Sequence, residues 1–197
     1  MLKEFKPTLI FLVKFFAVYG ILSLLYGWYI GSYDRADPPV TDPVTQLVTV
    51  NCTQTAGIFG YEWKIIENDH LNWERHKEQT FDSVYLNNKY AISVEEGCNG
   101  INIMILFLAF VVAFGGKLLN MIIFIPAGIL FIHLFNIGRL LLLSLLNVEW
   151  DGQAFHFFHK YGFTAVIYVS VLILWYLWVS HFSGRTSKSK KKPEHDN

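Results

Sequence analysis

Glu95-Glu96-Gly97-Cys98-Asn99-Gly100 is the stretch where a polar segment becomes an apolar one of membrane length. Ser93 and a charged stretch precede it, and from Ile101 to Phe114 only Asn102 interrupts an apolar run. A cysteine at that junction begins a membrane helix and remains reachable from water. What the rest of the chain brings to this spot decides both fold and function.

Composition sets the class. Of the 197 residues, 53% are hydrophobic, 17% are aromatic and 16% are charged, against roughly 25% charged in a typical soluble domain. That shortage, with long apolar runs, predicts an integral membrane protein. Formal net charge is zero, so no basic surface points to nucleic acid. Two cysteines, Cys52 and Cys98, are too few for a disulfide framework, although one bridge between them stays open. The first apolar run lacks a small-residue cleavage site and reads as a retained helix.

Working outward, the pattern predicts an all-α polytopic protein with about four spans, at residues 8–30, 98–114, 118–146 and 156–182. Together with the segment 31–97 they form one membrane domain over residues 1–182, and 183–197 is a basic tail. Within 31–97, Asp42-Pro43 caps and opens a short helix to about Ala56. Its residues Val44, Leu47 and Val48 suit a helix lying on the membrane surface. Tyr61 to Ile66 reads as a strand, and Asn87-Asn88 between Val84-Tyr85-Leu86 and Tyr90-Ala91-Ile92 reads as a hairpin turn.

Lys3, Lys6, Lys117 and the Arg185 to Lys192 cluster fall on one side of a four-span chain, and the positive-inside rule makes that side cytoplasmic. Cys98 then opens the second span from outside. Arg139 lies ~33 Å along the third span from Leu118, near the outer interface, and His156 and His159 open the fourth span from outside. Three helices bring a thiol, a guanidinium and imidazoles to one membrane face. A thiolate is nucleophilic and a helix N-terminus lowers its pKa. A histidine can take the thiol proton and return it to a leaving amine, and an arginine can hold an oxyanion. The set suits acyl transfer from a peptide bond through a thioester. A charge within the membrane costs about 2.5–3.5 kcal/mol on insertion scales, so Arg139 calls for a reason. Each residue also has an ordinary reading: Cys98 as an inert small residue, Arg139 as an interfacial anchor, His133 as a hydrogen-bonded packing residue. No standard metal-ligand spacing occurs, so no metal or other cofactor is expected.

These residues also carry a family resemblance. Cys98-Asn99-Gly100 resembles the Cys-x-Gly motif of the exosortase/archaeosortase family. Asn136-Ile137-Gly138-Arg139 is similar to its Asn-x-x-Arg motif, and His159-Lys160-Tyr161-Gly162 to its histidine motif. Order, spacing and membrane side match over about residues 8–182, and the compact form is most like the exosortase F type of Bacteroidetes. Asn99 departs from relatives that often carry Ser or another small residue there.

The resemblance implies a multi-pass cysteine transpeptidase of the bacterial inner membrane, with cytoplasmic termini and an extracytoplasmic site. It implies Cys98 as nucleophile, Arg139 as oxyanion partner and His159 as acid and base, with His156 in reserve. Asn99, Gly100 and Asn136 would support them. Partners would be exported proteins carrying a C-terminal motif, a membrane helix and a basic cluster, together with an amine acceptor and membrane lipid. The competing expectation is a non-catalytic assembly factor that binds a partner through residues 31–97. A Cys52–Cys98 disulfide would favour it.

Overall fold

A computed structural model describes residues 2–36, 39–69, 81–150 and 163–183. Helix α1 (Leu2–Asp34) is followed by α2 (Pro43–Ile58), strands β1 (Trp63–Ile66), β2 (Phe81–Leu86) and β3 (Lys89–Glu95), and a 3₁₀ turn at Glu96–Cys98. Then come α3 (Ile101–Phe114), α4 (Leu118–Glu149), α5 (Phe163–Leu177) and a π turn at Trp178–Phe182. The molecule is mostly helical with one small sheet.

Three stretches, Phe5–Asp34, Leu118–Glu149 and Ala165–Phe182, are long and apolar enough to cross a membrane. The second expected span differs. Helix α3 has 14 residues, about 21 Å at 1.5 Å per residue, against a hydrocarbon core of about 30 Å. Both ends are set by glycine: Gly100 at φ +83° precedes its first turn and Gly115 at φ +68° follows its last. The 3₁₀ turn takes up the residues before Gly100, so Cys98 lies ahead of the helix and not in its first turn.

Contacts fix how the helices run. Phe11 of α1 meets Phe110 and Phe114 near the end of α3, while Tyr26 meets Asn99 at its start. Asn120 at the start of α4 donates to the Phe182 carbonyl in the π turn after α5. One end of the bundle therefore gathers the start of α1, the end of α3, the start of α4 and the end of α5. Cys98 and Arg139 occupy the opposite end. Between the ends, Phe107, Val111, Phe124, Ile132, Val171 and Trp178 form a shared core. Gly128 lets the Phe107 ring lie against α4, since a Cβ there would collide with it.

The polar segment folds against the last third of α4. Asp42 caps α2 as expected, its Oδ1 accepting from the N–H groups of Val44 and Thr45 at 2.9 and 3.1 Å. The expected hairpin forms, with Asn87 and Asn88 at φ +48° and +63°, a left-handed conformation that asparagine tolerates. The expected strand pairs with it, giving a three-stranded antiparallel sheet in the order β1-β2-β3. Val48, Cys52, Val84, Leu86, Leu140 and Leu143 make the core between α2, sheet and α4. The buried face of α2 is Thr45, Val48, Thr49, Cys52 and Ala56, whereas Leu47 is exposed. The threonines are admitted because Thr49 and Thr53 return their hydroxyls to carbonyls four residues back.

Candidate functional site around Cys98

Cys98 sits where β3 ends and α3 has not begun, half-buried, with its turn held from three directions. From α4, Asn136 Nδ2 donates to the Cys98 carbonyl at 2.8 Å. Three residues on, Arg139 donates from an Nη atom to Asn136 Oδ1 at 3.4 Å, a long bond, and its positive charge lies close enough to act on the Cys98 thiol. The i, i+3 spacing places Asn136 and Arg139 on one helical face, so one residue holds the backbone of Cys98 while the other sets a charge beside its side chain. Gly100 completes the turn for two reasons. Its φ of +83° is left-handed, and a Cβ would come within 3.3 Å of Asn136 Nδ2. Cysteine, glycine, asparagine and arginine thus form one mechanical unit.

Asn99 anchors the turn from the other side. It is 1% exposed, and its Nδ2 donates to Tyr26 Oη of α1 at 2.7 Å and to Thr45 Oγ1 of α2 at 3.0 Å. Its Oδ1 accepts from the Ile101 N–H at 3.0 Å, satisfying one of the open donors that begin α3. Thr45 Oγ1 in turn donates to Asp42 Oδ2 at 2.5 Å, and Glu96 lies close to Tyr26. The Asn99 departure from a small residue therefore has a structural use. The sequence marks Asp42 as a cap, but nothing local signals that Tyr26 and Thr45 meet at Asn99.

The two cysteines occupy different surroundings, and both are free thiols. Cys52 is 1% exposed in the core against Ser144, and burial pushes its pKa up to about 12. For Cys98, burial also raises the thiol above its ordinary value. The Arg139 charge and the Glu95 backbone pull it back down, and the Glu95 carboxylate opposes them. The net direction is upward, which corrects the expectation of a thiol acidified by a helix N-terminus: the helix starts three residues later and the turn is largely dehydrated. To act as a nucleophile, a thiol in that state would need a base to take its proton.

Two hollows flank the Cys98–Arg139 pair. One, of about 250 Å³, is lined by Arg139, Gly97, Gly100, Asn102 and, from the start of α5, Ile167 and Tyr168. The other, of about 200 Å³, lies between β3 and α4 and has Cys98 in its wall. Arg139 Nε is buried and has no hydrogen-bond acceptor among the described residues, which leaves a donor unspent beside the first hollow.

A model of the transmembrane exosortase family matches residues 9–176, most of the chain. The chain belongs to the transmembrane exosortase family. No curated protein and no solved structure matches it. At the level of that family it is a membrane sorting transpeptidase with cysteine peptidase chemistry. The match spans the residues just described, from Tyr26 through Cys98 to Arg139 and Tyr168.

Of the remaining exosortase candidates, His156 and His159 lie outside the described residues. His133 is a packing residue, its Nε2 3.1 Å from Asn51 Nδ2 of α2. Since an amide nitrogen only donates, that imidazole nitrogen accepts. Among the described residues no group of three His, Cys, Asp or Glu side chains is placed to hold a metal ion.

Proposed function

We propose that this exosortase is a compact enzyme, most like the F type, that cuts C-terminal sorting signals on the extracytoplasmic face and transfers the acyl part to an amine. The observation that carries it is the joint grip of Asn136 and Arg139 on Cys98. His159 takes the Cys98 proton, the sulfur attacks the scissile carbonyl, and Arg139 holds the oxyanion. The C–N bond then breaks as the leaving amine takes the proton back. An amine nitrogen next attacks the thioester, the C–S bond breaks, and the amine's spare proton returns the thiol and imidazole to their starting state. The hollow beside Arg139 supports this reading: the start of α5 lies on it through Ile167 and Tyr168, and His159 precedes that helix by four residues. The raised Cys98 thiol supports the need for a base.

The spans serve a four-crossing arrangement with both termini cytoplasmic, in which α3 is the short crossing. Substrates are exported proteins with a motif, a membrane helix and a basic cluster. The test is co-expression of such a protein with wild type, Cys98→Ala, Arg139→Ala, His156→Ala and His159→Ala. Cleavage is expected to vanish in the Cys98 and His159 variants and to fall by about 10²–10³ in Arg139→Ala, with His156→Ala active. Cleavage retained by Cys98→Ala would return the chain to the binding-only assembly factor.

A further inference from the structure

Strand β3 is the outer strand of its sheet, and its free edge is treated differently along its length. Near its start Asn147 of α4 plugs the edge, donating to the Ala91 carbonyl at 2.7 Å and to that of Tyr90 at 3.4 Å. Lys89 Nζ reaches back to the Val148 carbonyl. Such plugs prevent a strand edge from pairing with another chain. Beyond them, the hollow of about 200 Å³ is walled by Tyr90, Ser93 and Glu95 on the strand, Leu140 and Leu143 on α4, and Cys98. Ile92 lines it as well. Ile92 and Ser93 point to opposite faces of the pleat, so the hollow runs along the edge of the strand and not over one face.

Among the described residues nothing pairs with the main chain there. Phe81, opposite Glu95, gives its carbonyl to the Asp69 N–H on the far side of β2, so this is a non-hydrogen-bonded pair and the polar groups of Glu95 turn away from β2. In an antiparallel strand residues two apart share that direction, which turns the Ser93 N–H and C=O into the same edge. The volume is below the roughly 300–1,000 Å³ of small-molecule sites, whereas a strand edge with flanking side chains is the form that receives extended peptides. The hollow also has a carboxylate in its wall. Glu95 lines it and has no ion-pair partner among the described residues.

We propose that the residues of the sorting signal just before the scissile bond dock as a fourth strand on the outer edge of β3, pairing with the Ser93 main chain and setting a Lys or Arg side chain against Glu95. This rests on Cys98 being the nucleophile. The exported domain then lies on the sheet side, while the leaving membrane helix lies on the side of Arg139, Ile167 and Tyr168. A cation seated there also offsets the charge that Glu95 places beside the forming thiolate.

The test uses the full chain in nanodiscs and a panel of N-acetyl tetrapeptide chloromethyl ketones, with Lys, Ala or Glu placed at each position in turn. Alkylation of Cys98 is followed by mass spectrometry and divided by the iodoacetamide rate of the same protein. At one position Lys is expected to outpace Glu by about tenfold, and N-methylation of one internal amide to slow labelling by about tenfold, each the worth of one good hydrogen bond or charge pair. Glu95→Gln abolishes the charge preference and Glu95→Lys reverses it. Equal rates across the panel, or indifference to N-methylation at every amide, would overturn the proposal. If cleavage of a signal-bearing protein needs Cys98 while the panel is flat, strand addition alone fails. If Cys98→Ala still cleaves, the enzyme reading beneath it fails.

Discussion

Helix α4 belongs to two cores, and they are built differently. Its first part joins a bundle core of large rings and branched chains, in which Phe110 stacks on Trp175 at 4.3 Å and Phe124 meets Trp178 at 5.1 Å. Its outward residues Leu118, Leu119, Ile122 and Leu130 are all well exposed, as a helix facing lipid can be. Its last third enters the core of the polar segment, where Leu140, Leu143 and Val148 are buried against α2 and the sheet, beside buried hydroxyls such as Ser144. The first core is held by packing, because lipid provides no hydrophobic drive between helices. The second is held by excluding water. Asn136 and Arg139 stand at the seam, and so does Cys98.

The contrast breaks most sharply with a charge in the second core. Leu143→Asp puts an unpaired carboxylate at a site 1% exposed and is expected to cost about 3–5 kcal/mol. In nanodiscs, amide exchange should speed up in β2 and β3 while the bundle stays protected; equal loosening of both would mean the cores are one cooperative unit.

Next in size is the seam. Asn99→Ala removes two donors and one acceptor from a buried network and is expected to cost about 1–3 kcal/mol. Thermal unfolding would read it, with Asn99→Ser recovering part of the loss through the Ile101 bond alone.

A smaller effect separates the site from both cores. Cys98 is charged only when deprotonated, and burial raises its pKa. Its alkylation by iodoacetamide at pH 8 should therefore lag an exposed thiol and climb as pH rises. Arg139→Ala removes an attraction that lowers that pKa and should slow alkylation a further few-fold at the same pH. A rate unchanged by the substitution would detach Arg139 from the thiol. The smallest effect belongs to the lipid face, where Leu119→Ala, 68% exposed, should shift stability by less than about 0.5 kcal/mol in the same unfolding assay.

How much was legible divides along these lines. The cap at Asp42, the strand ending at Ile66 and the turn at Asn87-Asn88 could all be read because each depends on residues adjacent in the chain. That Arg139 falls in the last third of α4 could be read from helical rise alone. Helix α3 starts three residues later than expected because hydropathy does not register the separate turn at Glu96–Cys98 that precedes it. The face of α2 that packs on the protein was not legible: its threonines look polar until their hydroxyls are seen to bond the helix's own carbonyls.

By itself the sequence determined that the chain lives in a membrane and to which family it belongs, since apolar length and residue identity are local properties. It also placed Cys98, Asn136 and Arg139 toward one end of their segments. Only the tertiary structure decided that Asn99 would join Tyr26 and Thr45, that Cys52 would be sealed while Cys98 stayed within reach, and that β3 would leave its edge open beside the thiol. Those outcomes depend on distant partners, as Asn99 does on residues 54 and 73 positions away, and no local pattern encodes which distant side chain will fill a given hydrogen bond.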